Sequence, residues 1–325
     1  MNCKNCNQPI ADARKEVKCT ICKANLHRNC SIKENDLHYC DICFTVKEQE
    51  KPRIDFEIPA VIRRSYIEDY KACPYKFYLT AIRGINDDSE TIYNRLGIDL
   101  HSLFEQASND RNYTLPDMLV DYASLWSSYE VFGLSDELKD SMYNRGILCI
   151  HNFYNVLSLL PEIPYATEVQ TVFDVGKDLP QISATIDRVD LIDNMLELSD
   201  WKTGQMLVGK KLTTDMQAPL YIYGAESHFN IPVRKFTFWY LQDNKTRVFE
   251  RQTDGSFVCT VKNRIYRIHP NNAVKEVQSL FSQIKKGNFN IPNDTKKMYY
   301  TCKICNHQKS GRCEGADIQA WKQLQ

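Results

Sequence analysis

Between Asp187 and Lys202 the chain reads Asp-Arg-Val-Asp-Leu-Ile-Asp-Asn-Met-Leu-Glu-Leu-Ser-Asp-Trp-Lys, so an aspartate is followed thirteen residues later by Asp200-Trp201-Lys202. Apolar and polar residues alternate on both sides of Asp193-Asn194. The pattern predicts two antiparallel strands joined there, which brings both acids and the lysine to one end of a sheet. Carboxylate oxygens are hard ligands suited to Mg2+ or Mn2+. Such an ion polarises a phosphoryl oxygen and makes bound water a usable nucleophile near neutral pH. Lys202 lies two residues beyond Asp200, on the same strand face. Its ammonium would stabilise the charge that develops as a phosphodiester is hydrolysed.

Cysteine spacing marks further sites. Cys3, Cys6, Cys19, Cys22, His27, Cys30, Cys40 and Cys43 form four close pairs in a stretch with few apolar residues. A module that small cannot fold on its core alone, and four pairs make two tetrahedral Zn2+ sites. Seven cysteines with histidine in fifth place resemble the PHD-finger family. Its interleaved pairing implies one zinc on Cys3, Cys6, His27 and Cys30 and a second on Cys19, Cys22, Cys40 and Cys43. The spacer of nine residues before the last pair is short for that family, and Tyr39 stands where it has tryptophan. Without the aromatics of a methyl-lysine cage, the finger is expected to be a structural module or one that docks a protein partner.

Cys73, Cys302, Cys305 and Cys313 make a second set of four, drawn from positions more than 220 residues apart. Four thiolates suit either a tetrahedral zinc or an iron–sulfur cluster. Either would clasp the C-terminal end of the chain to its N-terminal helices, and closing so long a loop stabilises a fold. Cys149 and Cys259 remain, in apolar or strand-like surroundings where a buried free thiol is ordinary.

The elements that must position these groups fall into three segments. Residues 1–43 are the finger, and residues 44–60, charged and holding Pro52 and Pro59, read as a tether. Residues 61–325 read as one large domain. It opens with a helical preface from Ser65, a helix over Leu96 to Ser108 and further helices to about Leu160. Strands follow at Tyr165 to Val175, Gln181 to Ile192 and Leu196 to Trp201, then a helix over Asp215 to His228. Strands at Phe236 to Leu241 and Arg247 to Arg251 and a last helix over Ala273 to Lys286 complete an α/β fold, a mixed central sheet flanked by helices.

In their order and spacing these residues resemble the PD-(D/E)XK nuclease superfamily, more narrowly its RecB-like branch, which includes the iron–sulfur CRISPR-associated exonucleases and the AddB-type nucleases. Gly97-Ile-Asp-Leu-His101-Ser-Leu-Phe-Glu105 matches the upstream helix whose histidine joins the metal site. Ile186-Asp187-Arg188-Val189-Asp190 matches the first acidic strand, and Ser199-Asp200-Trp201-Lys202-Thr203-Gly204 the second. The resemblance implies a restriction-endonuclease-like core in which His101, Asp187, Asp200 and the Trp201 carbonyl bind Mg2+ or Mn2+ and Lys202 is catalytic. Gln217-Ala-Pro-Leu-Tyr221 matches a helix motif whose glutamine and tyrosine face the site and its bound strand. Glu168 matches an acidic position behind the ligands rather than among them. Ala184 departs from the pattern, since many relatives have glycine there. In that branch one cysteine before the core and three after it hold a [4Fe-4S] cluster, which the resemblance carries to Cys73, Cys302, Cys305 and Cys313, with Zn2+ as the alternative there.

The expected activity is that of a DNA nuclease, an exonuclease on single-stranded ends working in recombination, repair or phage–host conflict. Tyr66, Tyr70, Tyr75 and Tyr78 of the preface would stack bases while Arg63, Arg64, Lys71 and Lys76 meet phosphates, or the tyrosines pack beneath the cluster, a reading that suits Tyr75 and Phe77 at least as well. Two other readings stand beside it, a structure-specific endonuclease and a finger-docked adaptor whose nuclease-like domain grips DNA without cutting. Lys plus Arg equal Asp plus Glu at 41 each, so any nucleic acid must be held locally. Eleven of thirteen cysteines have metal-ligand spacing, no apolar run reaches the roughly 20 residues that cross a bilayer, and the N-terminus lacks a signal peptide's apolar core. A cytoplasmic protein with no membrane partner is expected.

Overall fold

A computed structural model describes residues 2–12, 15–34, 37–44, 56–85, 91–133, 135–292 and 295–313. The chain forms two units, Met1–Glu57 with Pro292–Met298 and Ile58–Ile291 with Tyr299–Gln325. No helix among the described residues is long and apolar enough to cross a membrane.

The first unit holds two antiparallel hairpins, β1 (Glu16–Lys18) with β2 (Asn25–His27) and β3 (Ile32–Glu34) with β4 (Leu37–Tyr39). Its buried cluster consists of Cys3, Cys19, Leu26 and Cys40. Three of these four are thiols, so apolar burial alone is far too small to hold the module together.

The second unit begins with β5 (Val61–Arg63), α1 (Arg64–Ala72) and α2 (Pro74–Phe77), which runs on into a π turn at Tyr78–Ile82. Three long helices follow, α3 (Ile92–Asn109), α4 (Leu115–Trp126) and α5 (Asp136–Leu157). Then come β6 (Ala166–Phe173), β7 (Gln181–Ile192), β8 (Met195–Lys202), the single turn α6 (Lys211–Thr214) and α7 (Gln217–Phe229). A meander, β9 (Val233–Tyr240), β10 (Lys245–Arg251), β11 (Phe257–Val261) and β12 (Arg264–Ile268), leads to α8 (Pro270–Lys285), to α9 (Thr295–Ile304), which belongs to this unit from Tyr299 on, and to α10 (Asn306–Lys309).

Among the described residues, the eight strands of this unit belong to one mixed sheet. β7 is its pivot. One edge of β7 pairs antiparallel with β6, and the other carries β5 in parallel near its start and β8 antiparallel near its end. Asp193 and Asn194 both have positive φ, the two-residue turn whose twist matches a hairpin, so β7 and β8 join where the sequence places the turn. β8 then runs parallel to β9 as far as the Lys202–Tyr240 pair, beyond the point where its ladder with β7 ends at Ser199. The two strands therefore fork, and Asp187, Asp200 and Lys202 sit at the fork.

Pleating decides which way each side chain faces. Trp201, between Asp200 and Lys202, points the opposite way from both, into a core built from α3, α4 and α5, where it meets Phe153 edge-on at 5.0 Å. On the other face α7 seats against the sheet, with Tyr221 edge-on to Phe236. Gly224 permits this close approach, because a Cβ there would lie 2.6 Å from the Phe173 ring. The mixed α/β class is as the sequence predicts. The β11–β12 hairpin, β5 and the helices after Lys286 are additions to that reading.

Candidate metal centres and active site

Donor atoms of His101, Glu168 and Asp187 all lie within 4.8 Å of one another. His101 comes from α3, and its Nδ1 is 3.6 Å from Asp187 Oδ1 and 3.9 Å from Glu168 Oε1. Asp187 is held from behind, since the Trp201 N–H donates to its Oδ2 at 2.6 Å, a bond that the fork between β7 and β8 makes available. Asp200, buried on β8, has Lys202 Nζ 2.6 Å from Oδ2 and accepts a 2.6 Å hydrogen bond from Gln217 Nε2 at Oδ1. Tyr221, one turn further along α7, is buried with the Arg64 guanidinium over its ring. Asp190 plays no part here, for it pairs with the fully buried Arg188.

Glu168 is closer to the centre than the sequence reading placed it. Its φ is +45, a left-handed backbone inside a strand, and the β6–β7 ladder omits the step between Glu168 and Asp187. A non-glycine residue held there costs on the order of 1–3 kcal/mol and persists only where its surroundings enforce it. The strain coincides with the carboxylate that joins His101 and Asp187.

The electrostatics favour a cation. Burial alone would lower His101, but Asp187, Glu168 and Asp200 outweigh it and raise the imidazole to about 9. Burial, and next the charge of Asp200, raise the Asp187 carboxyl to about 7. Both groups retain protons because negative charge is crowded where little water reaches, and oxygen and imidazole donors are the set that a hard divalent ion accepts. An ion must displace those protons, so apparent Mn2+ affinity should rise steeply between about pH 6 and about pH 9. Calorimetric titration across that range checks this, and an affinity flat with pH would remove His101 and Asp187 from the ion's surroundings.

Two side chains on one face of α5 hold the strand ends beneath Lys202. Arg145 donates through both Nε and a terminal nitrogen to the Thr203 carbonyl, and Asn152 Nδ2 donates to the Leu241 carbonyl at 2.7 Å. Leu241 N–H in turn donates to the Lys202 carbonyl at 2.9 Å. Sequence reasoning singled out neither residue. The available signal was two polar side chains seven apart on one face of an amphipathic helix.

In the first unit the side chains gather as Cys3, Cys6, His27 and Cys30 and as Cys19, Cys22, Cys40 and Cys43, each set with its donor atoms within 4.8 Å. His27 Nε2 lies 3.3 Å from the Pro9 carbonyl, while Nδ1 faces Cys6 Sγ at 3.4 Å. A proton on Nε2 leaves the Nδ1 lone pair for a metal. Burial raises the Cys3 and Cys19 thiols, yet hydrogen bonds from backbone N–H groups overcome it and bring each to about 6, which favours the thiolate that binds metal. Both sets could hold a metal ion.

Cys73, Cys302, Cys305 and Cys313 line one cavity of about 270 Å3. They are not among the groups whose donor atoms all fall within 4.8 Å. Burial, and next the other three thiols, push Cys302 up to about 12. His307 reaches Thr80 Oγ1 at 2.9 Å beside the same cavity, joining the two chain ends that supply the cysteines.

The preface corrects one expectation. Tyr70 and Tyr78 are buried rather than presented to bases: Tyr70 hydroxyl donates to the Asn288 carbonyl, and Tyr78 packs on Phe289 with ring centroids 4.9 Å apart. Tyr75 stacks on Tyr78 and lines the cysteine cavity. Lys76 is paired with Asp69 at 2.7 Å, and Lys71 with Glu276 and the Thr214 carbonyl. Arg63, Arg64 and Tyr66 stay outside this packing, Arg63 lying over the Tyr66 ring.

Comparison with known proteins adds a family. The PD-(D/E)XK nuclease superfamily model matches residues 64–313. Among solved structures, one described as "Crystal structure of SSO0001" is similar over 70% of this chain and 97% of that one, at 15% identity and a TM-score of 0.28. No curated protein matches the chain.

Proposed function

The chain belongs to the PD-(D/E)XK nuclease superfamily, and we propose that it is a Mg2+- or Mn2+-dependent deoxyribonuclease of the RecB-like type that degrades DNA from single-stranded ends. The observation that carries this reading is the meeting of His101, Glu168 and Asp187 beside an ammonium held 2.6 Å from Asp200. These three, with Asp200 and the Trp201 carbonyl, would hold the ion. When bound it supplies Lewis acidity to the phosphoryl oxygen and a water of lowered pKa.

The remaining work falls to the chain's own groups. Lys202, partly exposed while its partner Asp200 is buried, presents a fixed positive charge where the phosphate becomes more negative. Gln217 fixes the Asp200 carboxylate, and the Trp201 N–H fixes that of Asp187, so neither must reorganise as charge develops. Arg145 and Asn152 keep Lys202 at its strand end.

The finger is read as a PHD-like module over residues 1–43 holding two Zn2+ and docking a protein partner, tethered through residues 44–60 to a nuclease domain over 61–325. Cys73, Cys302, Cys305 and Cys313, which line one cavity, are read as the ligands of a [4Fe-4S] cluster, with Zn2+ as the alternative. Recombination, repair or phage–host conflict would supply the frayed ends.

Purified protein with Mn2+ should consume linear single-stranded DNA and spare circles. Lys202→Ala should slow it by at least ~100-fold, the loss typical of removing one transition-state donor. Full cutting by Lys202→Ala would remove the site, and cutting of circles would turn the reading to an endonuclease.

A further inference from the structure

The metal centre opens into a cleft of about 700 Å3 whose lining includes Tyr93, Gly97, Ile98, His101, Glu105 and Glu168. Tyr93, Gly97 and His101 recur every fourth residue, so they form one row along α3. At 1.5 Å rise per residue the row extends about 12 Å from the ion site, roughly the length of three stacked nucleotides at 3.4 Å each. Tyr93 is 57% exposed and Ile98 62% exposed, large apolar surfaces on the solvent-facing side of the helix. Between Tyr93 and His101 the row is flat: a Cβ on Gly97 would meet nothing nearer than Thr203 Oγ1 at 3.9 Å.

Charge identifies what the cleft can take. Among its described lining residues there are carboxylates and a histidine but no lysine or arginine. Phosphates would be repelled along this wall except over the ion, whereas the apolar and aromatic surfaces suit the faces of bases. A base inside a duplex has both faces covered by its neighbours, so only an unpaired base can lie on Tyr93.

We propose that the exposed face of α3 is the base-side wall of the substrate groove, with Tyr93 stacking on an unpaired base up to about three nucleotides from the scissile phosphate and Ile98 packing beside it. The wall gives the enzyme its requirement for single strands. The inference rests on the nuclease reading and adds the strand's path and orientation to it, bases toward α3 and backbone toward Lys202.

The test uses the full protein, Mn2+ and a short fluorescent single-stranded oligodeoxynucleotide, together with a series carrying one abasic residue at successive positions. Stacking contributes about 1–3 kcal/mol per base, so Tyr93→Ala should raise KM by roughly 5- to 150-fold, with the loss in KM rather than kcat and an unaltered melting temperature. Tyr93→Trp should restore KM. On one member of the abasic series Tyr93→Ala should match the wild type, because the base it would hold is missing. An unchanged KM, a Tyr93→Trp variant as poor as Tyr93→Ala, or an equal penalty on every abasic substrate would overturn the proposal. If the wild type cuts no DNA, the nuclease reading itself has failed, which the Lys202→Ala comparison reports separately.

Discussion

Asp187→Asn will abolish cleavage and at the same time make the ion-free protein more stable at about pH 8. The loss of activity should reach at least ~1,000-fold, about 4 kcal/mol of barrier, because the ion loses a ligand that no neighbour replaces. The gain in stability follows from the same carboxyl. Unfolded, it titrates near 4; in the fold, burial and the charge of Asp200 raise it to about 7. A group whose folded pKa is raised contributes stability that is fully present below about pH 4 and is lost as pH rises through about 7. Asparagine is permanently neutral and still offers an oxygen to the Trp201 N–H, which now donates to Oδ2. In chelator, the melting temperatures of the two proteins should converge below about pH 4, separate as pH rises from about 4 to about 7 and keep that gap above it, with the variant higher. Mn2+ should then raise the wild type and leave the variant unmoved. A variant less stable than the wild type at the alkaline end, or one equally stabilised by Mn2+, would contradict this account of the centre.

How much of this centre can be seen in the sequence depends on how local each contact is. Asp187, Asp200 and Lys202 are legible because a single hairpin delivers them, and its turn is marked by Asp193-Asn194, both of which take the left-handed backbone. His101 and Gln217 come from separate helices, and only the family resemblance picks them out. The position of Glu168 depends on one strained φ in β6, which side-chain type does not announce. Tyr70 and Tyr78 look like stacking residues until Asn288 and Phe289, more than 200 residues away, enclose them. Burial of that kind is tertiary, and alternation or helical spacing carries no trace of it. Arg145 and Asn152 escape notice for a related reason: they grip backbone carbonyls, and a carbonyl looks the same at every position. The β11–β12 hairpin turns on Lys262-Asn263, again with positive φ at both residues, a weaker signal than asparagine followed by glycine.

Cys73→Ala should remove the iron and colour of the proposed cluster from anaerobically purified protein, lower the melting temperature by roughly 10–20 °C and slow DNA cutting, although the thiol belongs to a site separate from the catalytic one. The thermal effect follows from topology. A link from Cys73 to Cys302 closes a loop of more than 200 residues, and cross-links over loops of about 100 residues are worth on the order of 5 kcal/mol, each kcal/mol being about 2–4 °C in a domain of this size. Cys149→Ala, at a thiol equally buried but outside every set, should keep the colour. A colourless wild type carrying one zinc, with Cys73→Ala just as stable, would sink the cluster. The effect on cutting follows from what lies immediately before Cys73. On α1, Glu68 accepts the Met216 N–H at 2.8 Å and Lys71 donates to the Thr214 carbonyl at 2.9 Å, so α1 holds the start of α7 and with it Gln217, the residue that orients Asp200. With the clasp lost, α1 is free to move and that hold loosens. Specific activity should therefore fall in proportion to iron content across partly loaded preparations of the wild type. Activity that stayed constant as iron was removed would show that α1 keeps its place without the clasp.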